Sequence, residues 1–167
     1  MKMFVHIPRT GGTSLLSVFK KWYGRNLLTV YSRDKEYRIN EYAIACGHFY
    51  IEDMDEYLLF LREPYLQQVS YYNYTVKYQK MPSIDDFFIN EESSMVRFLP
   101  PMDRVGFVGI YERYEEDVIR LADRLGMKHV TPTVTNTASY NHYPSRRARE
   151  IFIKNNEYIY ELYNSYL

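Results

Sequence analysis

The sequence predicts one α/β domain built on a mostly parallel sheet with helices on both faces, and three observations carry that expectation. Short, wholly apolar runs recur along the chain, as strands buried on both faces require. Each run is followed by a stretch with helical spacing rather than by a two-residue hairpin turn, so the strands alternate with crossover helices. At 167 residues, with 46% hydrophobic and 25% charged residues, the chain is long enough to bury a core. It carries no internal repeat, linker or low-complexity segment.

The elements follow in order. Residues 2–7 read as a buried strand. Residues 13–23 read as a helix, with Leu15, Phe19 and Trp22 on one stripe and Gly24 as the stop. Residues 27–31 are a second strand, followed by a polar loop through Asn40, and residues 43–49 are a third apolar stretch broken by Gly47-His48. The acidic run Glu52, Asp53, Asp55, Glu56 reads as a solvated turn or short helix. Residues 57–61 form another strand, ending at Arg62-Glu63-Pro64. Proline suits the first helical turn because its missing N–H is unpaired there in any case, which predicts a long helix over 65–80. Shorter helices at 84–90 and 94–99, stopped by Pro100-Pro101, make a helical insertion at about 82–101. Residues 105–111 read as a strand. Residues 115–125 read as a helix with Val118, Leu121, Ala122 and Leu125 on one face, ended by Gly126. After a loop rich in Thr, Asn and Tyr, Ser145 caps a final helix running towards Tyr166.

The composition excludes several classes. No apolar run approaches the ~18 residues of a membrane span, and Met-Lys-Met-Phe enters a strand directly, so neither a span nor a secretory signal is expected and a cytoplasmic location is. The lone Cys46 gives no internal disulfide and no metal-ligand cluster. Net charge is zero, yet the first acid is Asp34, and Lys2, Arg9, Lys20, Lys21, Arg25 and Arg33 precede it. A first stretch of 33 residues without carboxylates suits a polyanionic ligand, with no nucleic acid expected. Lys20 and Lys21 read as a solvated helix face, whereas Arg9 does not. The 19 tyrosines suit half-buried faces and stacking on sugars or bases, but assign no function alone.

The chemistry concentrates in residues 4–14, Phe-Val-His-Ile-Pro-Arg-Thr-Gly-Gly-Thr-Ser: a strand, a tight loop and a helix start. Helix N-termini present backbone N–H groups to anions, and Gly11 and Gly12 allow close backbone approach. Arg9, Thr10, Thr13 and Ser14 add donors. The nucleoside-triphosphatase loop needs a lysine after its last glycine, whereas here Thr13 follows Gly12 and the cation comes first. A second constellation is Arg62 at a strand end with Ser70 eight residues on. Ligands of open α/β sheets sit beyond the carboxyl ends of strands, so Arg62 and Ser70 suit a second phosphate. A triphosphatase would end that strand in a magnesium-binding aspartate.

With these motifs the chain resembles the sulfotransferases that use 3′-phosphoadenosine 5′-phosphosulfate, in the branch related to carbohydrate (heparan-type) enzymes. His-Ile-Pro-Arg-Thr-Gly-Gly-Thr-Ser (6–14) is similar to the family's 5′-phosphosulfate loop. Leu-Arg-Glu-Pro (61–64) with Ser70 is similar to its 3′-phosphate motif. Val-Gly-Ile-Tyr-Glu-Arg-Tyr-Glu-Glu (108–116), Asn136-Thr137 and the Tyr-rich C-terminal helix resemble its C-terminal half. The resemblance implies a three-layer α/β fold with a central parallel sheet akin to that of P-loop nucleotide kinases. It also implies in-line transfer of a sulfuryl group to an acceptor hydroxyl, of a glycan by preference, without a metal and with adenosine 3′,5′-bisphosphate as product. The family has a lysine where Arg9 stands. Arginine keeps the charge but is planar and less like a point donor, so nucleotide binding survives while the transition-state contact is put at issue.

His48 is the candidate general base by this resemblance, with a structural histidine as the other reading. His6 reads as packed or hydrogen-bonded, Glu63 as orienting Arg62, and His129 and His142 as exposed. Asn136 and Thr137 read as contacts to the adenosine phosphate or as a plain turn. Arg146, Arg147 and Arg149 stand near a helix start, where the macrodipole disfavours cations, which reads as an anionic partner or a solvated face. Three functions compete: an active sulfotransferase, a non-catalytic nucleotide-binding or interaction module of the same fold, and a small kinase or triphosphatase lacking both its lysine and its metal carboxylate.

Overall fold

The computed structural model describes residues 1–32, 37–52, 54–133 and 140–167. They fall into two compact units, Met1–Leu61 with Phe98–Thr135 and Arg62–Arg97 with Asn136–Leu167.

The first unit is α/β. Strands β1 (Lys2–Val5), β2 (Leu27–Val30), β3 (Ile44–Gly47), β4 (Glu56–Leu61) and β5 (Val105–Ile110) form one sheet in the order β2-β3-β1-β4-β5, every neighbouring pair parallel. In register, Phe4 lies beside Cys46 and Leu58, and Leu58 beside Phe107. These side chains share a face, against which α1 (Gly12–Tyr23) and α4 (Tyr114–Leu125) bury Leu15, Val18, Phe19, Val118 and Leu121. Phe4 stacks on Phe19 at 5.1 Å between ring centres, and Phe60 meets the Tyr114 ring at 5.4 Å. Met3, Val5, Tyr57, Leu59 and Leu61, which alternate with them, are buried too, so the apolar runs are continuous rather than alternating. Gly126 ends α4 in the left-handed region, at φ 66°.

The second unit is helical: α2 (Pro64–Thr75), α3 (Ile84–Asn90), α5 (Arg146–Asn155) and α6 (Glu157–Asn164). Its core joins Val69 and Tyr72 of α2, Phe87 and Phe88 of α3, and Ala148 and Phe152 of α5. Among the described residues no helix is long and apolar enough to cross a membrane.

Several boundaries differ from expectation. The first strand ends at Val5 rather than residue 7, because the chain turns there and the Ile7 amide donates to the Val5 carbonyl. The helix expected over 65–80 stops at Thr75, where single turns through Lys77 and Tyr78 replace the ladder. The helix expected at 94–99 is only a 3₁₀ turn at Val96–Phe98. The final helix is broken in two at Asn156, at φ −121° and ψ 26°. The Asn156 side-chain oxygen accepts from the Ser93 amide at 2.7 Å, and its side-chain amide donates to the Phe152 carbonyl at 2.8 Å, so one long-range bond and one local bond mark the break.

Candidate functional site

The sheet order places β1 between β3 and β4, so the chain departs from β1 to one side first and to the other later. The carboxyl end of such a strand is the topological switch point where open α/β sheets bind ligands. The loop leaving β1 there is residues 6–11.

The loop is held from within. The His6 amide donates to the Gly47 carbonyl at 2.7 Å, the buried Thr10 hydroxyl to the Ile7 carbonyl at 2.9 Å, and the Leu15 amide to the Gly11 carbonyl at 3.1 Å. Arg9 has φ 68°, the one non-glycine residue with positive φ among those described. Such a conformation costs ~1–2 kcal/mol and marks a constrained position. Gly11 has φ 85° and precedes α1 with no side-chain cap, and no acidic residue occupies the first helical turn. The first-turn amides of a helix have no intrahelical acceptor, and the positive end of the dipole lies there. That chemistry fits a phosphate or phosphosulfate group, with Thr13 exposed in the same turn and Ser14 buried.

The two glycines also have neighbours of their own. A Cβ on Gly12 would fall inside the His6 imidazole, whose Cγ stands 2.5 Å from that point. A Cβ on Gly11 would lie 2.6 Å from Tyr114 Cε2. The Tyr114 hydroxyl donates to the Gly11 carbonyl at 2.8 Å, with burial raising its pKa. Gly11 and Ser14 border a cavity of about 430 Å³ whose described wall carries Glu112, Glu115 and Glu116 against the cation Arg113. That flank repels anions, so an anion at the helix start is better placed on the flank away from it.

Beside the loop, three rings cluster where β1, β2 and β3 end. The His6 and His48 rings lie 4.4 Å apart, and Tyr31 meets His48 edge-on at 4.9 Å. His6 Nδ1 and the Tyr31 hydroxyl are 3.2 Å apart. His48 Nδ1 is 2.7 Å from the His6 carbonyl, which can only accept, so that nitrogen carries the proton and Nε2 is the basic one. Burial lowers the His48 pKa, partly offset by this hydrogen bond, so the ring is neutral at pH 7. His6 is pushed to about 3, by burial first and then by the nearby His48. Burial likewise pushes the Cys46 thiol up to about 12, which leaves it inert as a nucleophile.

The remaining candidates lie in the helical unit or outside the described residues. Arg62 follows β4 directly and donates from one guanidinium nitrogen to the Tyr140 hydroxyl at 3.3 Å. Ser70 lies within α2 and is fully buried. Glu63 caps α2, accepting from the Leu66 amide at 2.6 Å and from the Tyr160 hydroxyl at 3.1 Å. Asn136 and Thr137 lie outside the described residues. Two arginines of α5 have protein partners: Arg146 pairs with Glu150 at 2.8 Å and Arg149 sits 4.4 Å over the Tyr65 ring. The Asp85 carboxylate accepts from the Ser145 amide at 2.7 Å and supplies the negative charge that helix start favours.

Tyr114 stands within the 108–116 motif but with no role assigned to it there, and Tyr31 and Tyr140 were not singled out in the sequence, since among 19 tyrosines nothing local marks them. No protein-family model matches the chain, and no curated protein matches it in sequence.

Proposed function

We propose that this chain is a sulfotransferase that moves a sulfuryl group from 3′-phosphoadenosine 5′-phosphosulfate to an acceptor hydroxyl. The observation that carries the reading is a juxtaposition within one unit. A neutral histidine, with its Nδ1 proton fixed on the His6 carbonyl, adjoins the loop that runs into the uncapped start of α1. The sheet order β2-β3-β1-β4-β5, with that loop at the switch point, supports the three-layer nucleotide-kinase-like fold that the resemblance implies.

The nucleotide, when bound, supplies an activated sulfuryl group. His48 Nε2 takes the proton of the attacking hydroxyl, a role commonly worth ~10²–10⁴-fold. Arg9 and the first turn of α1 hold the phosphate end and face the charge that builds on the departing oxygen. Arg62 and Ser70 are the proposed 3′-phosphate ligands. Since Ser70 is buried, the guanidinium carries most of that contact and the hydroxyl the lesser part.

Titration calorimetry tests the reading. Adenosine 3′,5′-bisphosphate should bind at least about tenfold more tightly than ATP with magnesium, the spread one lost charge-assisted hydrogen bond gives. Equal or reversed affinities would refute it. A second reading, a nucleotide-binding module without turnover, is favoured by Arg9 standing where the family has lysine. Bisphosphate binding without bisphosphate release in the presence of acceptors would select it.

A further inference from the structure

The His6 side chain stands beside the start of α1, and its two ring nitrogens have different surroundings. Nδ1 lies 3.2 Å from the Tyr31 hydroxyl. Nε2 has no hydrogen-bond partner among the described residues, although the residue is only 7% exposed. Buried polar atoms are costly to leave unbonded, so the direction in which Nε2 faces bears on what it meets.

That direction is set against Gly12, the first residue of α1. A Cβ there would lie 1.8 Å from His6 Cδ2 and 2.2 Å from Nε2, against 2.5 Å from Cγ. The ring therefore turns its Cδ2–Nε2 edge to the first turn. Cβ atoms of a helix lean towards its N-terminus, so that edge lies on the N-terminal side of Gly12, where the unpaired amides are. The acidic cavity reaches the loop elsewhere, through Tyr111 and Tyr114 against Gly11. The histidine and the carboxylates thus flank different residues of the helix start.

The tautomer of His6 follows from the neighbours of Tyr31. Its hydroxyl meets the Cys46 thiol as well as His6 Nδ1. Burial keeps that thiol protonated and the imidazole neutral. A thiol sulfur is only a weak acceptor, so the hydroxyl donates to Nδ1, and a neutral imidazole whose Nδ1 accepts carries its proton on Nε2. His48 is arranged the other way round, with its proton on Nδ1. The two rings, 4.4 Å apart, therefore present one Nε2 that donates and one that accepts.

We propose that His6 Nε2–H is a direct ligand of the anion at the start of α1, donating to a peripheral oxygen of a phosphate or sulfate group alongside the first-turn amides. The donor and the helix start stand on their own geometry. That the anion is the 5′ end of 3′-phosphoadenosine 5′-phosphosulfate rests on the sulfotransferase reading. On that reading His6 steadies the group being transferred while His48 takes the acceptor proton.

The test uses the full chain, with adenosine 3′,5′-bisphosphate, adenosine 3′-monophosphate and inorganic sulfate as probes. In the native chain with nitrogen-15-labelled histidine, long-range proton–nitrogen correlation should show His6 protonated on Nε2. Saturating bisphosphate should move that resonance more than either nitrogen of His129. His6→Phe keeps a ring in place and deletes the donor. By calorimetry it should weaken the bisphosphate about 10- to 150-fold, the scale of a hydrogen bond to a charged group, and abolish sulfate binding. Adenosine 3′-monophosphate, which lacks the group at α1, should stay within about threefold. His6→Gln, whose amide nitrogen can take the place of Nε2, should bring the bisphosphate back to within about threefold of native, which a purely packing role would not.

A proton on Nδ1, an unmoved Nε2 resonance, or equal losses for bisphosphate and 3′-monophosphate would overturn the proposal. The first two are read on the native chain and so hold even where His6→Phe does not fold. Native bisphosphate affinity in His6→Phe, with its preference over ATP kept, would sink the ligand role and leave the sulfotransferase reading standing. Sulfate binding lost in His6→Phe, with no preference of the native chain for bisphosphate over ATP, would do the reverse. Binding of neither anion would overturn both.

Discussion

A methyl group at Gly12 separates the two reasons a glycine can stand at the start of α1. The added carbon would land in the His6 ring, which is 7% exposed and packed against His48. His6 cannot yield without parting from His48 or losing its 3.2 Å contact with the Tyr31 hydroxyl. Overpacking of this kind costs ~1–3 kcal/mol, and a lost hydrogen bond adds ~0.5–1.5. Replacing glycine inside a helix returns at most ~1 kcal/mol. Gly12→Ala should therefore lose about 1–3 kcal/mol in urea unfolding, a fall of about 2–12 °C in melting temperature for a chain this size. His6→Ala opens the occupied volume, so the double variant should fall short of additivity by at least about 1 kcal/mol. An additive cycle, or a single-variant loss within about 0.5 kcal/mol, would refute the packing argument. Bisphosphate affinity in the same variants supplies the second answer. If Gly12 also lets a phosphate approach, its loss in Gly12→Ala persists in the double variant.

Three further outcomes follow from the same geometry. Arg9→Gly relieves ~1–2 kcal/mol of left-handed strain and forfeits ~0.4–1 to the unfolded chain, so urea unfolding should show equal or slightly higher stability. On the proposed reading, Arg9→Gly weakens bisphosphate binding about 10- to 150-fold, while Arg9→Lys stays within about threefold by calorimetry. Asp117 is buried and accepts from the Ile110 amide at 2.6 Å and from Arg120 at 2.5 Å. Because Arg120 is half exposed, Asp117→Asn should cost about 2–3 kcal/mol rather than the full penalty of a buried pair, read by urea unfolding. The depressed His6 pKa has a signed consequence. Between about 3 and 6.5 the unfolded chain binds a proton that the folded chain refuses, so stability falls as pH drops below 6.5. The slope His6 contributes is up to about 1.4 kcal/mol per pH unit, and His6→Phe should flatten the acid limb of a urea series between pH 7 and 5 by that amount.

The inner strands were legible because they are buried on both faces and read as apolar runs, as in Met3–Val5 and Tyr57–Leu61, whereas the edge strand β2 exposes Thr29. The start of α1 was legible from Gly11-Gly12, and the stops of α1 and α4 from Gly24 and Gly126. What was illegible depends on partners distant in sequence. Nothing local announces that α2 ends at Thr75, since the residues that follow are adequate helix formers. Asn156 breaks the last helix because it serves Ser93, 63 residues away. The arginines of α5 read as facing an anionic partner or as a solvated face, because Asp85, which accepts from the Ser145 amide at that helix start, lies 60 residues upstream of Ser145. His48 was legible as a polar residue after an apolar run, whereas its tautomer depends on the His6 carbonyl, 42 residues away.

His6 links the loop, β3 and the His48 ring. Its amide ties the loop to β3 through Gly47, its carbonyl sets the His48 tautomer, and its ring fills the volume that Gly12 leaves vacant. A shift of the first turn of α1 is therefore felt at His48 through one residue rather than through a chain of contacts. On the proposed reading an anion drawn to that turn would sit against the same packing, so loop occupancy and the orientation of His48 are linked. The acidic flank beside Gly11 and Ser14 sharpens the link, since it steers an anion towards the other side of the helix start. A histidine kept neutral by burial suits that position better than a lysine or arginine would. It fills the space and accepts or donates as needed without placing a fixed charge beside His48.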